Sequence, residues 1–218
     1  KQYTVAVLGA TGAVGQEMMK ILAERHFPIS ELHLLASKRS AGKVVEWQGK
    51  PVMIEEACDE AFKGLDIVLG AAENDIAKQF APAIVKAGAV FVDNSSAFRL
   101  DREVPLIVPE INPEDAKNHH GIISNPNCST IITVTAVNAL NALSPIRTMV
   151  ASTYQAVSGS GVAGVAELGA RRLASQMAPT WAPPSERPRA AFGCRIISRS
   201  ASRSPWLRPS RATMSSSR

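Results

Sequence analysis

The sequence opens with a short apolar segment that runs directly into a glycine-rich turn. Tyr3–Leu8 predicts a buried strand, and Gln16–Glu24 carries an apolar stripe at helical spacing. Between them lies Gly9-Ala10-Thr11-Gly12-Ala13-Val14-Gly15. A strand, a glycine turn and a helix in that order are typical of dinucleotide binding, because the turn brings the helix N–H groups to the pyrophosphate. A tight turn without a ligand is the alternative, since the spacing GxxGxxG departs from GxGxxG.

The end of the second predicted strand indicates which dinucleotide binds. Glu31–Ala36 reads as that strand, and Ser37-Lys38-Arg39-Ser40 follows it. A site for NAD usually carries an acid there, about 20 residues past the glycines, to hold the ribose hydroxyls. This turn has no acid but two cations and two hydroxyls, which suit a 2′-phosphate because a guanidinium offers a planar fork to phosphate oxygens. The pattern favours NADP over NAD, with a solvated basic turn as the alternative.

Cys128 is the candidate nucleophile. It follows Asn125-Pro126-Asn127 and precedes the apolar run Ile131–Val137, which predicts a helix that begins near the cysteine. At a helix N-terminus the unpaired N–H groups and the helix dipole favour an anion, so the thiol there is expected to react as a thiolate. A buried, inert cysteine is the alternative.

The remaining segments alternate strands with helices. Such alternation predicts an α/β fold with a parallel, doubly wound sheet and with ligands at the carboxyl ends of its strands. The further predicted elements are strands at Val44–Trp47, Pro51–Ile54, Asp66–Ala72, Ala89–Asp93 and Ile146–Ser152, and helices at Ile76–Lys86, Glu114–Asn118 and Gly161–Leu173.

Five motifs together resemble one enzyme family. In chain order they are Gly9–Gly15, Leu35–Lys43, Val92–Arg99, Asn125–Thr130 and Ser152–Gly159, and the likeness runs from Lys1 to about Leu168. The sequence resembles the bacterial aspartate-β-semialdehyde dehydrogenases. Membership would imply a reversible, NADP-dependent reductive dephosphorylation of L-aspartyl-4-phosphate to L-aspartate-4-semialdehyde and phosphate. That reaction lies at the branch point to lysine, threonine and methionine.

The resemblance implies roles for individual residues. Cys128 resembles the nucleophile that forms a thioacyl intermediate, and Gln155 the residue that orients the substrate beside it. Arg99 and Asn127 are expected at the substrate and its phosphate group. No metal is expected. The motif and the resemblance together give these cofactor-binding residues: Gly9, Thr11, Gly12, Ala13, Val14 and Gly15 at the pyrophosphate, Ser37, Arg39 and Ser40 at the 2′-phosphate, and Ser158 and Gly159 near the nicotinamide.

The family pattern stops before the sequence does. The resemblance implies an acid/base His and a substrate-binding Arg after Gln155, yet no later motif matches, and all four histidines precede Cys128. Gly169–Arg218 holds 10 of the 24 basic residues, all arginines, but one of the 19 acidic ones. Rich in Arg, Ser and Pro, this segment has no strand or helix period and cannot bury a core. A shifted reading frame from about Arg171 is our hypothesis, which translation of the other two frames would test.

The domain organisation follows from these boundaries. We expect a Rossmann-like NADP-binding domain over 1–127, the beginning of a truncated α+β catalytic and dimerisation domain over 128–170, and a disordered or out-of-frame tail over 171–218. The full-length protein is expected to be a homodimer or tetramer. This chain, without the family's base, is expected to bind cofactor without turnover, since a positioned base contributes about 10²–10⁴-fold. His119 and His120 are the fallback candidates for that base.

Composition excludes several other classes. The net charge of +5 comes from the tail, and no aromatic residues are interleaved there as a base-stacking platform would require, so nucleic-acid binding is not expected. No apolar run reaches membrane-spanning length, and no signal-peptide pattern opens the chain. The three scattered cysteines, Cys58, Cys128 and Cys194, indicate neither a disulfide framework nor a zinc site. A cytoplasmic protein without a membrane partner is expected.

Two alternatives of function stay open. A related acyl-phosphate reductase, such as N-acetyl-γ-glutamyl-phosphate reductase, would use the same thioacyl chemistry on another substrate. The strings Asn127–Thr130 and Tyr154–Gly159 count against that reading. The other alternative is a non-catalytic NADP-binding remnant.

Overall fold

The computed structural model describes residues 1–157 and 164–171 of the chain. The chain divides into two units, Lys1–Met149 and Val150–Arg218. The three-part division at residues 127 and 170 stays a prediction. The Arg-rich tail beyond residue 171 lies outside the described residues.

A seven-stranded sheet forms the centre of the first unit. Its strands are β1 (Tyr3–Leu8), β2 (Ile29–Ala36), β3 (Val44–Trp47), β4 (Lys50–Glu56), β5 (Ile67–Gly70), β6 (Val90–Asp93) and β7 (Ile122–Ser124). Their order across the sheet is β3-β4-β2-β1-β5-β6-β7, and every neighbouring pair is parallel except β3 with β4. The chain winds outward from β1 in both directions. The doubly wound, Rossmann-like α/β fold is thereby confirmed.

Three α-helices accompany the sheet: α1 (Ala13–Glu24), α2 (Asn74–Lys86) and α3 (Cys128–Leu143). Short 3-10 helices occur at Asp59–Phe62 and Pro113–Asn118. α1 connects β1 to β2, and α2 connects β5 to β6, with the exposed Pro82 inside it. The connection from β6 to β7 has the second 3-10 helix in place of an α-helix.

The core lies on both faces of the sheet, because successive side chains of a strand point to opposite faces. Val5 and Val7 of β1 belong to a cluster with Met19 of α1, whereas Ala6 and Leu8 belong to a second cluster with α2. The second cluster holds three buried aromatic rings, those of Phe62, Phe80 and Phe91. α3 differs from the other helices, since it has no buried residue and leaves apolar side chains such as Ile132 and Leu143 exposed.

Most predicted elements of the first unit are present, with ends shifted by a few residues. β7 was missed, because its three residues are too few to show a pattern. The strand predicted over Ile146–Ser152 is wrong, since residues 145–156 have no regular structure. Apolar, β-branched residues favour a strand only where a neighbouring strand completes the hydrogen bonds. Here the Ile146 N–H is instead bonded to Oδ1 of Asn141 at 3.0 Å.

The described part of the second unit contains one helical segment, residues 164–171. It falls within the predicted helix Gly161–Leu173, whose two ends lie outside the described residues. Glu167 and Arg171 form an ion pair at 2.6 Å along it. Within the described residues, no helix combines the length and the apolar character needed to cross a membrane.

Candidate active site

The candidate functional residues of the first unit meet at one edge of the sheet. β1, β2, β5, β6 and β7 run parallel, so their carboxyl ends lie along the same edge. The loops that leave this edge are 9–12 after β1, 37–43 after β2, 94–121 after β6 and 125–127 after β7. Ligands of doubly wound sheets bind along that edge. The sheet therefore brings together four motifs that are far apart in sequence.

The turn after β1 leaves no room for a side chain at Gly9 or at Gly15. Gly9 has a φ of +90°, and a Cβ there would lie 2.8 Å from the backbone of Ala71. A Cβ at Gly15 would lie 2.4 Å from the carbonyl oxygen of Gly9. α1 begins directly after Gly12, with no side-chain cap and no acidic residue in its first turn. This end of the helix therefore favours an anion, and the close backbone fits a pyrophosphate. The exposed residues here are Thr11, Gly12, Ala13 and Val14.

The basic turn lies beside the glycine turn. Leu8 and Leu35 are partners in the parallel β1–β2 ladder, so the two strands end next to each other. Lys38 and Arg39 are exposed, as is Ser37, whose carbonyl oxygen accepts the N–H of Ser40 at 2.8 Å. Ser40 itself is buried. The turn thus presents two cations to solvent next to a helix end that favours anions.

Arg99 is held by two backbone carbonyl groups. Its Nη2 donates to the oxygen of Asn94 at 2.9 Å, and its Nε donates to the oxygen of Asn125 at 2.9 Å. Burial lowers the pKa of the Arg99 guanidinium, while the charges of Asp93 and of an ionised Cys128 act in the opposite direction. Arg99 therefore joins the loops after β6 and β7, within electrostatic range of the candidate nucleophile.

Cys128 is the first residue of α3 and is exposed. The side-chain oxygen of Asn127 caps the helix by accepting the N–H of Ser129 at 3.0 Å. The prediction of a cysteine at a helix N-terminus is confirmed. No acidic residue lies in the first turn of α3, so this end of the helix favours an anionic group. The expected contact of Asn127 with substrate stays a prediction.

Other predicted residues lie outside the first unit, outside the described residues or away from the carboxyl edge. Gln155 is exposed and lies in the second unit, in a stretch without regular structure. Ser158 and Gly159 lie outside the described residues. His119 and His120 precede β7 and so lie at its amino end, opposite the edge that carries Cys128. The fallback assignment of these two histidines as the base therefore has no support from the structure.

The remaining histidines are not near Cys128 either. His26 follows α1 at the amino edge of the sheet, and His33 lies within β2, where its Nδ1 is 3.0 Å from Oε1 of Glu55. Among residues 1–157 and 164–171, no cluster of His, Cys, Asp and Glu could hold a metal ion.

Asp93, Asn94 and Asn125 connect the loops after β6 and β7. The sequence patterns predicted no role for these three residues. Asp93 is fully buried at the end of β6, and Asn125 donates its side-chain N–H to the side-chain oxygen of Asn94. An acid that ends an otherwise apolar strand, as in Val90-Phe91-Val92-Asp93, is the sequence signal that could have identified the first of them.

The fold and the site define a dinucleotide-binding domain followed by a helix with a thiol at its N-terminus. A family model described as the NAD-binding domain of semialdehyde dehydrogenase matches residues 4–119. The chain belongs to the semialdehyde dehydrogenase family. This confirms the resemblance that the sequence motifs indicated.

Three relatives illustrate the likeness. The chain is 56% identical over 164 residues to aspartate-semialdehyde dehydrogenase from Synechocystis, which covers 75% of this chain and 48% of the relative. A crystal structure of aspartate semialdehyde dehydrogenase II from Vibrio cholerae, complexed with ASA, has a TM-score of 0.62 at 43% identity, over 65% of this chain and 47% of the other. The Candida albicans enzyme with NADP has a TM-score of 0.55 at 26% identity, over 76% and 53% of the two chains. The chain thus spans about half the length of the relatives it matches.

The two cysteines of the described residues, Cys58 and Cys128, are both exposed and provide a test of the helix-end effect. Cys58 precedes a 3-10 helix whose first turn contains Asp59 and Glu60, so its surroundings disfavour an anion, unlike those of Cys128. Brief treatment with iodoacetamide at neutral pH, followed by peptide mass spectrometry, should show Cys128 alkylated well before Cys58, because the thiolate is the reacting form. Equal labelling of the two would show that the end of α3 does not activate the thiol.

Proposed function

We propose that the chain supplies the cofactor-binding and nucleophile-bearing part of an NADP-dependent aspartate-semialdehyde dehydrogenase. The reaction is the reversible reductive dephosphorylation of L-aspartyl-4-phosphate to L-aspartate-4-semialdehyde and phosphate. The observation that carries the proposal is the position of Cys128 at the start of α3, on the same sheet edge as the glycine turn and Arg99. The names of the relatives and the ASA and NADP complexes among them support it.

The residues present fit the proposed cofactor. The glycine turn and the N-terminus of α1 would hold the pyrophosphate, because α1 begins there with no side-chain cap and no acidic residue in its first turn. Ser37, Arg39 and Ser40 would hold the 2′-phosphate, with the guanidinium giving the strongest bonds. Ser158 and Gly159 are proposed near the nicotinamide. When bound, the cofactor supplies the hydride transfer.

Cys128 would perform the covalent step. Its thiolate attacks the acyl carbon of L-aspartyl-4-phosphate, a C–S bond forms, the C–O bond to phosphate breaks, and phosphate leaves with the electron pair. A thioester then links the aspartyl group to Cys128, which splits one difficult step into two easier ones. Arg99 would bind the departing phosphate through guanidinium N–H groups that the two carbonyls do not occupy. Gln155 and Asn127 are proposed to orient the aspartyl group.

The thioester can be tested directly without turnover. Incubation of the chain with L-aspartyl-4-phosphate should add an aspartyl group to Cys128 and release phosphate, because this step needs only the thiolate and the leaving group. Intact-mass and peptide analysis would locate the adduct. Cys128→Ser should lose the adduct, whereas the control Cys58→Ser should keep it. An adduct spread equally over Cys58 and Cys128, or none, would contradict the proposed function.

The cofactor preference has its own test. The chain should bind NADP more tightly than NAD in calorimetric titrations, and Arg39→Ala should remove most of the difference, since a hydrogen bond to a charged group contributes roughly 1.5–3 kcal/mol. The affinity for NAD should hardly change. Arg25→Ala is the matched control, because Arg25 is also exposed but follows α1 at the other end of the helix. Equal affinities for NADP and NAD in the unmutated chain would contradict the assignment.

A further inference from the structure

Asp93 carries a charge that the fold has buried completely. It is the last residue of β6, and the other buried polar side chains of the described part are two serines, Ser40 and Ser124. Burying a carboxylate is costly unless hydrogen bonds or opposite charge compensate for it. Asp93 cannot reach a ligand, because no part of it is exposed. Any contribution to the site must therefore pass through its neighbours.

Ser95 is the neighbour that uses both carboxylate oxygens. Its N–H donates to Oδ1 of Asp93 at 3.1 Å, and its hydroxyl donates to Oδ2 at 2.7 Å. The same hydroxyl oxygen accepts the N–H of Ala97 at 3.1 Å. These bonds fix two consecutive turns of the chain. The loop 94–99 is therefore anchored at its start to a buried, immobile group.

Arg99 is the last residue of that loop, and its side chain bonds to the first residue, Asn94. Its two bonds, to the carbonyl oxygens of Asn94 and Asn125, connect the loop to the segment that leads to Cys128. The N–H of Asn125 also donates to the carbonyl oxygen of Asp93 at 2.8 Å. The negative charge of Asp93 acts against the effect of burial on the pKa of Arg99. Asp93 thus supports the position of Arg99 through the loop and through charge.

We propose that Asp93 is a positioning residue for the reacting thiol. Its carboxylate, acting through Ser95, holds loop 94–99 in the conformation that keeps the Arg99 guanidinium bonded to the segment that leads to Cys128. The inference rests on the proposed function only in taking Cys128 as the thiol that reacts. It assigns a function to a residue that touches neither substrate nor cofactor.

A change at Asp93 can make the alkylation of Cys128 slower or faster, and the direction separates the positioning role from a direct effect of the Asp93 charge. Removing a negative charge near a thiol by itself favours the thiolate and would speed alkylation. Losing the position of Arg99 removes a stabilising positive charge and would slow it. Asp93→Asn therefore slows the alkylation of Cys128 only if the positioning effect outweighs the direct effect of the charge. Ser95→Ala removes the hydroxyl link without changing any charge, so it reports on positioning alone.

The experiment measures the ratio of iodoacetamide alkylation rates at Cys128 and Cys58, at neutral pH, by peptide mass spectrometry. Ser95→Ala should lower the ratio roughly two- to tenfold, the range that corresponds to one net hydrogen bond. Asp93→Asn should lower it as well, and Ser95→Thr should restore it, because threonine keeps the hydroxyl. Ser96→Ala is the matched control, since Ser96 lies in the same loop but bonds to Asn74 instead.

The outcomes are distinct. A ratio for Ser95→Ala no lower than that for Ser96→Ala would overturn the positioning role, whatever the ratio for Asp93→Asn. If Asp93→Asn does not fold, the comparison of Ser95→Ala with Ser95→Thr decides the matter. The proposed function fails separately, through the absence of an aspartyl adduct on Cys128, and that result leaves the alkylation ratios interpretable.

Discussion

Parallel pairing of the strands determines where the candidate functional residues of the first unit lie. Six of the seven strands run in one direction, and only β3 opposes its neighbour. Parallel strands require a crossover after each strand, so every chain segment that leaves a carboxyl end begins at the same edge. The glycine turn, the basic turn, the Arg99 loop and Cys128 come from four such segments. One pairing pattern thus assembles a site from residues as far apart in sequence as Gly9 and Cys128.

The part of the edge at α1, α3 and the basic turn favours negative charge. Two α-helices, α1 and α3, begin there without an acid in their first turns, and Lys38, Arg39 and Arg99 lie in the loops between. A dinucleotide phosphate, a phosphate leaving group and a thiolate are all anions, and each would occupy a different part of this surface. Asp93, whose charge acts against the effect of burial on the pKa of Arg99, is withdrawn into the sheet.

The sequence allowed the sheet edge to be predicted but not the connections within it. Apolar strands, glycine turns and the apolar run after Cys128 are local patterns. The order of the elements along the chain and the helix N-terminus at Cys128 could therefore be predicted. The hydrogen bond from Arg99 to Asn125 could not, because it joins loops that only the β6–β7 pairing brings together. The strand at Ile146–Ser152 failed for the same reason, since a strand depends on a partner that its own residues do not reveal. The histidines show the limit again: the position of His119 and His120 follows from the direction of β7, which was not predicted.

The glycine turn, the basic turn and Cys128 are proposed to form one site. The most direct test is whether NADP changes the alkylation of Cys128 by iodoacetamide, with Cys58 as the internal reference. Saturating NADP should slow the alkylation of Cys128 and leave that of Cys58 unchanged, because a ligand along the carboxyl edge would cover the first turn of α3. Arg39→Ala should need more NADP for the same protection. If calorimetry shows NADP bound while Cys128 reacts at its original rate, the turn and the thiol do not belong to one site.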